Sequence, residues 1–241
     1  MDESGTHAGA NWCVVAGFVG RDEQWRKFVP RWKEALGKRR SLHMTDVRRW
    51  TKPDTKDTLL RLGRIPDECG LLRIFGAVRY ADYCDLVPEP LLQTIMSPYM
   101  VAMQPCIGQA LRYISREERI QFIFEQQLEY APLVPLAENF FSDLFRTPEG
   151  LPRVAGITYV TKGSTCCIES ADYLAYALSQ WKSDPTSLRS QLCKPILGNG
   201  GAVGAFLTKD KMQPVVKMVN KSMAERWTDF RSLFARRGLS N

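Results

Sequence analysis

Apolar positions change period along this chain, and each change marks an element. Residues 12–19, Trp-Cys-Val-Val-Ala-Gly-Phe-Val, form an apolar, β-branched run that predicts a buried strand, with Gly17 and Gly20 flanking its end. From Asp22 to Leu36 the spacing becomes three and four: Trp25, Phe28, Val29, Trp32 and Leu36 share one face, which predicts a helix. Pro30 predicts a kink in it and Gly37 a stop. Residues 54–64 repeat the helical pattern, with Leu59, Leu60 and Leu62 inward, Asp54 or Thr55 as N-cap and Gly63 near the end. Leu71 to Tyr80 returns to strand, and residues 82–86 begin a turn or short helix. Leu91 to Ile114 reads as a long apolar helix interrupted at Pro98 and again near Pro105.

The clearest strand is Arg119 to Glu125. Ile120, Phe122 and Phe124 fall on one side and Gln121, Ile123 and Glu125 on the other, so a carboxylate closes a buried strand. A helix over 135–145, a strand over 154–160 and a helix over 168–181 follow, the last with Asp172 beside its apolar stripe. Residues 183–204 read as loop; their cluster Gly198-Asn199-Gly200-Gly201 lacks the strand–turn–helix setting of a nucleotide loop. Thr208 to Phe234 is expected to hold one or two helices, with Arg226, Arg231, Arg236 and Arg237 making this end basic. The pattern predicts an α/β domain over residues 1–182, with a loop and helical extension over 183–241 packed on the same domain.

Composition narrows the class. Of 241 residues, 44% are hydrophobic and 24% charged, which excludes a disordered chain and is ample for a core. No run approaches the ~18 apolar residues of a membrane span, and no basic-then-apolar signal segment opens the chain, so a cytoplasmic protein with no membrane partner is expected. Seven cysteines without a Cys-x-x-Cys read as reduced core residues. The net charge of +7 suits a phosphodiester partner but equally suits a solvated basic surface. The runs Lys38-Arg39-Arg40 and Arg48-Arg49-Trp50 read equally as a phosphate grip, with Trp50 stacking on a base, and as an ordinary solvated surface.

The chemistry is expected where acids are costly. Asp2 and Glu3 precede the first buried strand, Asp46 follows His43, Glu125 ends the best strand, and Glu169 and Asp172 lie one helical turn apart. Two histidines leave little acid–base choice, and no Ser/His/Asp motif or Walker loop competes. Converging strand and helix carboxylates suit Mg2+ or Mn2+, which take hard oxygen ligands and in pairs clamp both oxygens of an in-line phosphoryl displacement. Only Met1 precedes Asp2, so the strand carrying that acid is expected to be poorly anchored at its start.

Four segments in order resemble the DUF3800 family: Asp2-Glu3-Ser4-Gly5, His43-Met44-Thr45-Asp46, Phe122-Ile123-Phe124-Glu125, and Ile168 to Tyr176 with its Ala171-Asp172. The resemblance implies an RNase H-like fold, a mixed central sheet flanked by helices, with Asp2 as the first-strand acid, Glu125 as the central-strand acid and Asp172 as the helix acid. Glu169 stands where the family helix usually has Gln. The implied activity is metal-dependent hydrolysis of nucleic acid, DNA or RNA unresolved, with metal on Asp2, Glu3, Asp46, Glu125, Glu169 and Asp172 and with His43 as a proton-shuttle candidate. The alternatives are an inactive RNase H-like module that binds nucleic acid or protein, and a phosphoryl-handling enzyme acting on nucleotides. The oligomeric state is left open.

Overall fold

The computed structural model describes residues 1–5, 10–39, 41–47, 51–87, 97–126, 146–161, 163–214 and 216–217. In chain order the elements are β1 (Asp2–Ser4), β2 (Trp12–Val19), α1 (Asp22–Leu36), a 3-10 turn (Met44–Asp46), α2 (Pro53–Glu68), β3 (Leu72–Arg79), α3 (Tyr80–Leu86), α4 (Pro98–Tyr113), β4 (Ile120–Glu125), β5 (Val154–Val160), α5 (Cys166–Ser183), α6 (Leu188–Leu197) and β6 (Val203–Leu207). The expected mixed α/β architecture is present.

Strands β1, β2, β3 and β6 pair in that order, antiparallel except for the parallel β3–β6 edge. Strands β4 and β5 form a parallel pair. Met1 stitches the two sets together. Its amine donates to the Ile123 carbonyl, and its own carbonyl accepts from the Glu125 N–H at 3.0 Å. Hydrogen bonding therefore runs across the molecule in the order β6-β3-β2-β1-β4-β5.

Each face of the sheet carries its own core. Val14, Ala16, Phe18, Phe75 and Ala77 pack with α1, α2, α5 and α6, where Trp32, Leu62, Leu174 and Ile196 are buried. The alternate residues Cys13, Val15, Val19, Ile74 and Val78 pack with Met1, Phe122, Phe124 and the α4 side chains Met103, Cys106 and Ile107. Both faces are covered, which is why β2 reads as an unbroken apolar run. Among the described residues no helix is long and apolar enough to cross a membrane. The cysteines are all free, and five of the seven are buried.

Several expectations need correction. The segment read as loop over 183–204 contains α6 and the start of β6, so it contributes a helix to one core and an edge strand to the sheet. Gly63 does not end its helix: a Cβ there would stand 2.9 Å from the Ile196 backbone nitrogen, so the glycine is what lets α6 cross α2 closely. Pro98 is the first residue of α4, with Ser97 Oγ accepting from Met100 N at 3.2 Å, and residues 91–96 of the expected helix lie outside the described residues. Pro30 and Pro105 sit inside continuous helices. The expected helix over 135–145, the Arg48-Arg49-Trp50 run, and Arg226 to Arg237 lie outside the described residues.

Candidate metal centre

The register of β1 on β2 sets Asp2 opposite Ala16, on the sheet face that α5 covers. Glu125 ends β4 one residue beyond Phe124, so by strand alternation it points to that same face while Phe124 fills the opposite core. The Met1–Glu125 backbone bond holds the two strand ends side by side. Glu3, opposite Val15 in the register, alternates from Asp2 along β1, yet Asp2, Glu3 and Glu125 offer one carboxylate oxygen each within 4.8 Å of one another.

This cluster is costly without a cation. Asp2 is 1% exposed and Glu125 4%. Asp2 Oδ1 accepts from the Glu3 N–H at 2.8 Å, while Asp2 Oδ2 is buried with no hydrogen-bond donor to it. Burial above all, then contact with the Glu125 carboxyl and the charges of Glu3, Asp172 and Glu125, push the Asp2 carboxyl up to about 10. Like-charged oxygens this close retain a proton or take a cation in its place. All the donors are carboxylate oxygens, the set that Mg2+ and Mn2+ prefer.

The other candidates are placed differently. Asp172, buried on α5, is close enough to raise the Asp2 carboxyl, but it is not one of the three converging acids. Its Oδ2 accepts from the Met44 N–H at 2.8 Å and meets His43 Nδ1 at 2.8 Å. His43 Nε2 in turn lies 2.6 Å from Thr45 Oγ1. A carboxylate–imidazole–hydroxyl chain thus joins α5 to the 3-10 turn. The sequence shows His43 and Thr45 but not their link to Asp172, which is 129 positions from His43.

Glu169 faces inward, where Trp32 Nε1 donates to its Oε2 at 2.9 Å. Burial pushes this carboxyl up, against the indole donor and a backbone donor at Leu42. Periodicity gives its partner, Trp32, only as a core residue. Asp46 is exposed at the end of its turn and outside the converging group. A depression of about 630 Å3 runs along α2 between Asp54 and Arg64 and touches none of these residues. The chain matches no protein-family model, no curated protein and no solved structure.

Proposed function

We propose that this chain is a metal-dependent nuclease of RNase H-like type, hydrolysing phosphodiester bonds of nucleic acid, as its resemblance to the DUF3800 family implies. The observation that carries the reading is the convergence of Asp2, Glu3 and Glu125 within 4.8 Å in a buried setting. The donor set fits Mg2+ or Mn2+: hard oxygens, one of them buried without a donor. Asp2, Glu3 and Glu125 would hold the ions, with Asp172 facing them from α5 and Glu169 and Asp46 in outer positions. Bound ions of this kind supply Lewis-acid charge to the attacking water and the leaving oxygen. Asp172 fixes the His43 ring through Nδ1, so that Nε2 is the nitrogen left to exchange a proton with Thr45 or with a substrate oxygen. The net charge of +7 favours a polyanionic partner.

One observation favours the second reading, a non-catalytic RNase H-like binding module: Asp172 Oδ2 is already engaged by the turn and not by the acid cluster. Cleavage assays with Mg2+ or Mn2+ over single- and double-stranded DNA and RNA separate the two. Cleavage that falls at least about a hundredfold in Asp2→Asn is expected. Absence of metal-dependent cleavage on every substrate would leave the binding module, and equal activity in Asp172→Asn would remove that residue from the mechanism.

A further inference from the structure

Helix α5 continues past its core. Its buried stripe runs through Ala171, Leu174, Ala175 and Leu178, and the next turn along that stripe carries Trp181 and Lys182. These two side chains meet aromatic rings from the sheet. Trp12 of β2 and Phe206 of β6 reach across the intervening β3 and pack edge to face, with centroids 5.4 Å apart. The β3 partner of Phe206 is Ala77, too small to stand between them. The Lys182 ammonium lies over both rings, 5.3 Å from the Trp12 centroid and 4.7 Å from that of Phe206. Trp181 leans on Phe206 at 6.3 Å and keeps 45% of its surface in water. Lys211 completes the group, its Nζ donating to the Phe206 carbonyl at 3.5 Å. Among the described residues neither ammonium has a carboxylate within 4.0 Å.

Two such cations beside a wet indole suit one class of partner. The centre of a protein–protein interface is depleted in lysine. A single strand of nucleic acid offers both a base to stack and phosphates to neutralise. A duplex keeps its bases stacked on one another and has no free face for the indole. Contact with two rings also holds Lys182 in place before a ligand arrives, so a phosphate that meets it need not order a loose side chain.

The position along the fold agrees. Trp181 lies nine residues beyond Asp172 on α5, about 14 Å of helix. Trp12 lies four residues before Ala16, the partner of Asp2, about 13 Å of strand. Either path spans about four nucleotides at the stacked rise of about 3.4 Å, and fewer in a stretched strand.

The geometry points to a stacking platform for single-stranded nucleic acid, built on Trp181 with Lys182 and Lys211 beside it. It rests on the nucleic-acid reading above and adds the strand state to it. One base stacks on the open face of Trp181, and the flanking phosphates meet the two ammonium groups. Trp12 and Phe206 hold Lys182 and touch no base.

Fluorescence anisotropy in EDTA tests this, with labelled oligothymidylate and oligouridylate of twelve nucleotides. Trp181→Leu keeps an apolar contact with Phe206 but offers no ring. It is expected to weaken binding about tenfold at an unchanged urea midpoint, while Trp181→Phe loses less than about threefold. Lys182→Ala is expected to flatten the slope of log affinity against log salt by about 0.7. An abasic strand and a matched duplex are expected to bind the parent and Trp181→Leu alike. Equal oligomer affinities for the parent and Trp181→Leu would overturn the proposal. An equal loss on the abasic strand or the duplex would do so too, since the indole would then serve something other than stacking. Binding is read without metal, so a chain that cleaves but shows equal affinities loses only the platform. One that binds as expected and never cleaves loses only the hydrolysis.

Discussion

Removing the charge of Asp2 separates what the fold needs from what the site needs. In the unfolded chain an aspartate loses its proton near pH 4, while in the fold Asp2 keeps it to about 10. Between those values the folded state binds a proton that the unfolded state does not. This group's contribution to stability therefore falls as pH rises from about 4 to about 10. Urea midpoints of the metal-free protein are expected to drop between pH 5 and pH 8 more steeply than those of Asp2→Asn, and Mg2+ is expected to restore the parent protein and not the variant. Glu169 gives the opposite expectation. Its oxygen accepts from Trp32, and a glutamine oxygen accepts equally well. Glu169→Gln should leave metal-dependent cleavage intact and shift stability by less than about 1 kcal/mol, whereas Trp32→Phe, which removes the indole donor to Glu169 Oε2, should cost about 1–3 kcal/mol in urea unfolding.

At the scale of elements, glycines let helix and sheet backbones approach closely. A Cβ on Gly76 of β3 would stand 1.9 Å from the Ala102 carbonyl oxygen of α4, and backbone cannot swing aside as a side chain can. Gly76→Ala should destabilise by about 3 kcal/mol through separation of helix and sheet. Gly108, on the same helix with nothing near its absent Cβ, should accept alanine with a gain of about 0.5–1 kcal/mol. Urea midpoints check both.

The elements that the sequence made legible were those whose side-chain period settles the matter locally: β2, α1, β4 and α5. Helix α6 and strand β6 were not legible, because Val203–Leu207 is short and contains Gly204, and what makes it a strand is pairing with the distant β3. The site divides in the same way. Asp2 and Glu125 stood out because an acid adjoins a buried strand. The Trp32–Glu169 and Asp172–His43 contacts depend on which helix faces which turn, and local spacing carries no trace of that.

At the scale of the whole molecule, the described parts before and after residue 182 share a core. Tyr173 of α5 donates to the Leu192 carbonyl of α6 at 3.3 Å, Ile196 of α6 fills the core behind α2, and β6 completes the edge of the sheet beside β3. A chain ended at Ser183 would bare these surfaces. It is expected to lose its sharp urea transition and to bind a hydrophobic dye, while the full chain unfolds in one step.

The sheet also partitions change. Val14 and Val15 are neighbours in sequence, yet the first shares a core with Trp32 and Leu174 and the second with Met103 and Ile107. A substitution on one side is compensated by residues on that side and is invisible to the other. Over evolutionary time the two halves of the interior can drift on separate schedules, held in common only where the sheet backbone itself is in contact. The acids lie at that shared boundary, where neither half is free to move without the other.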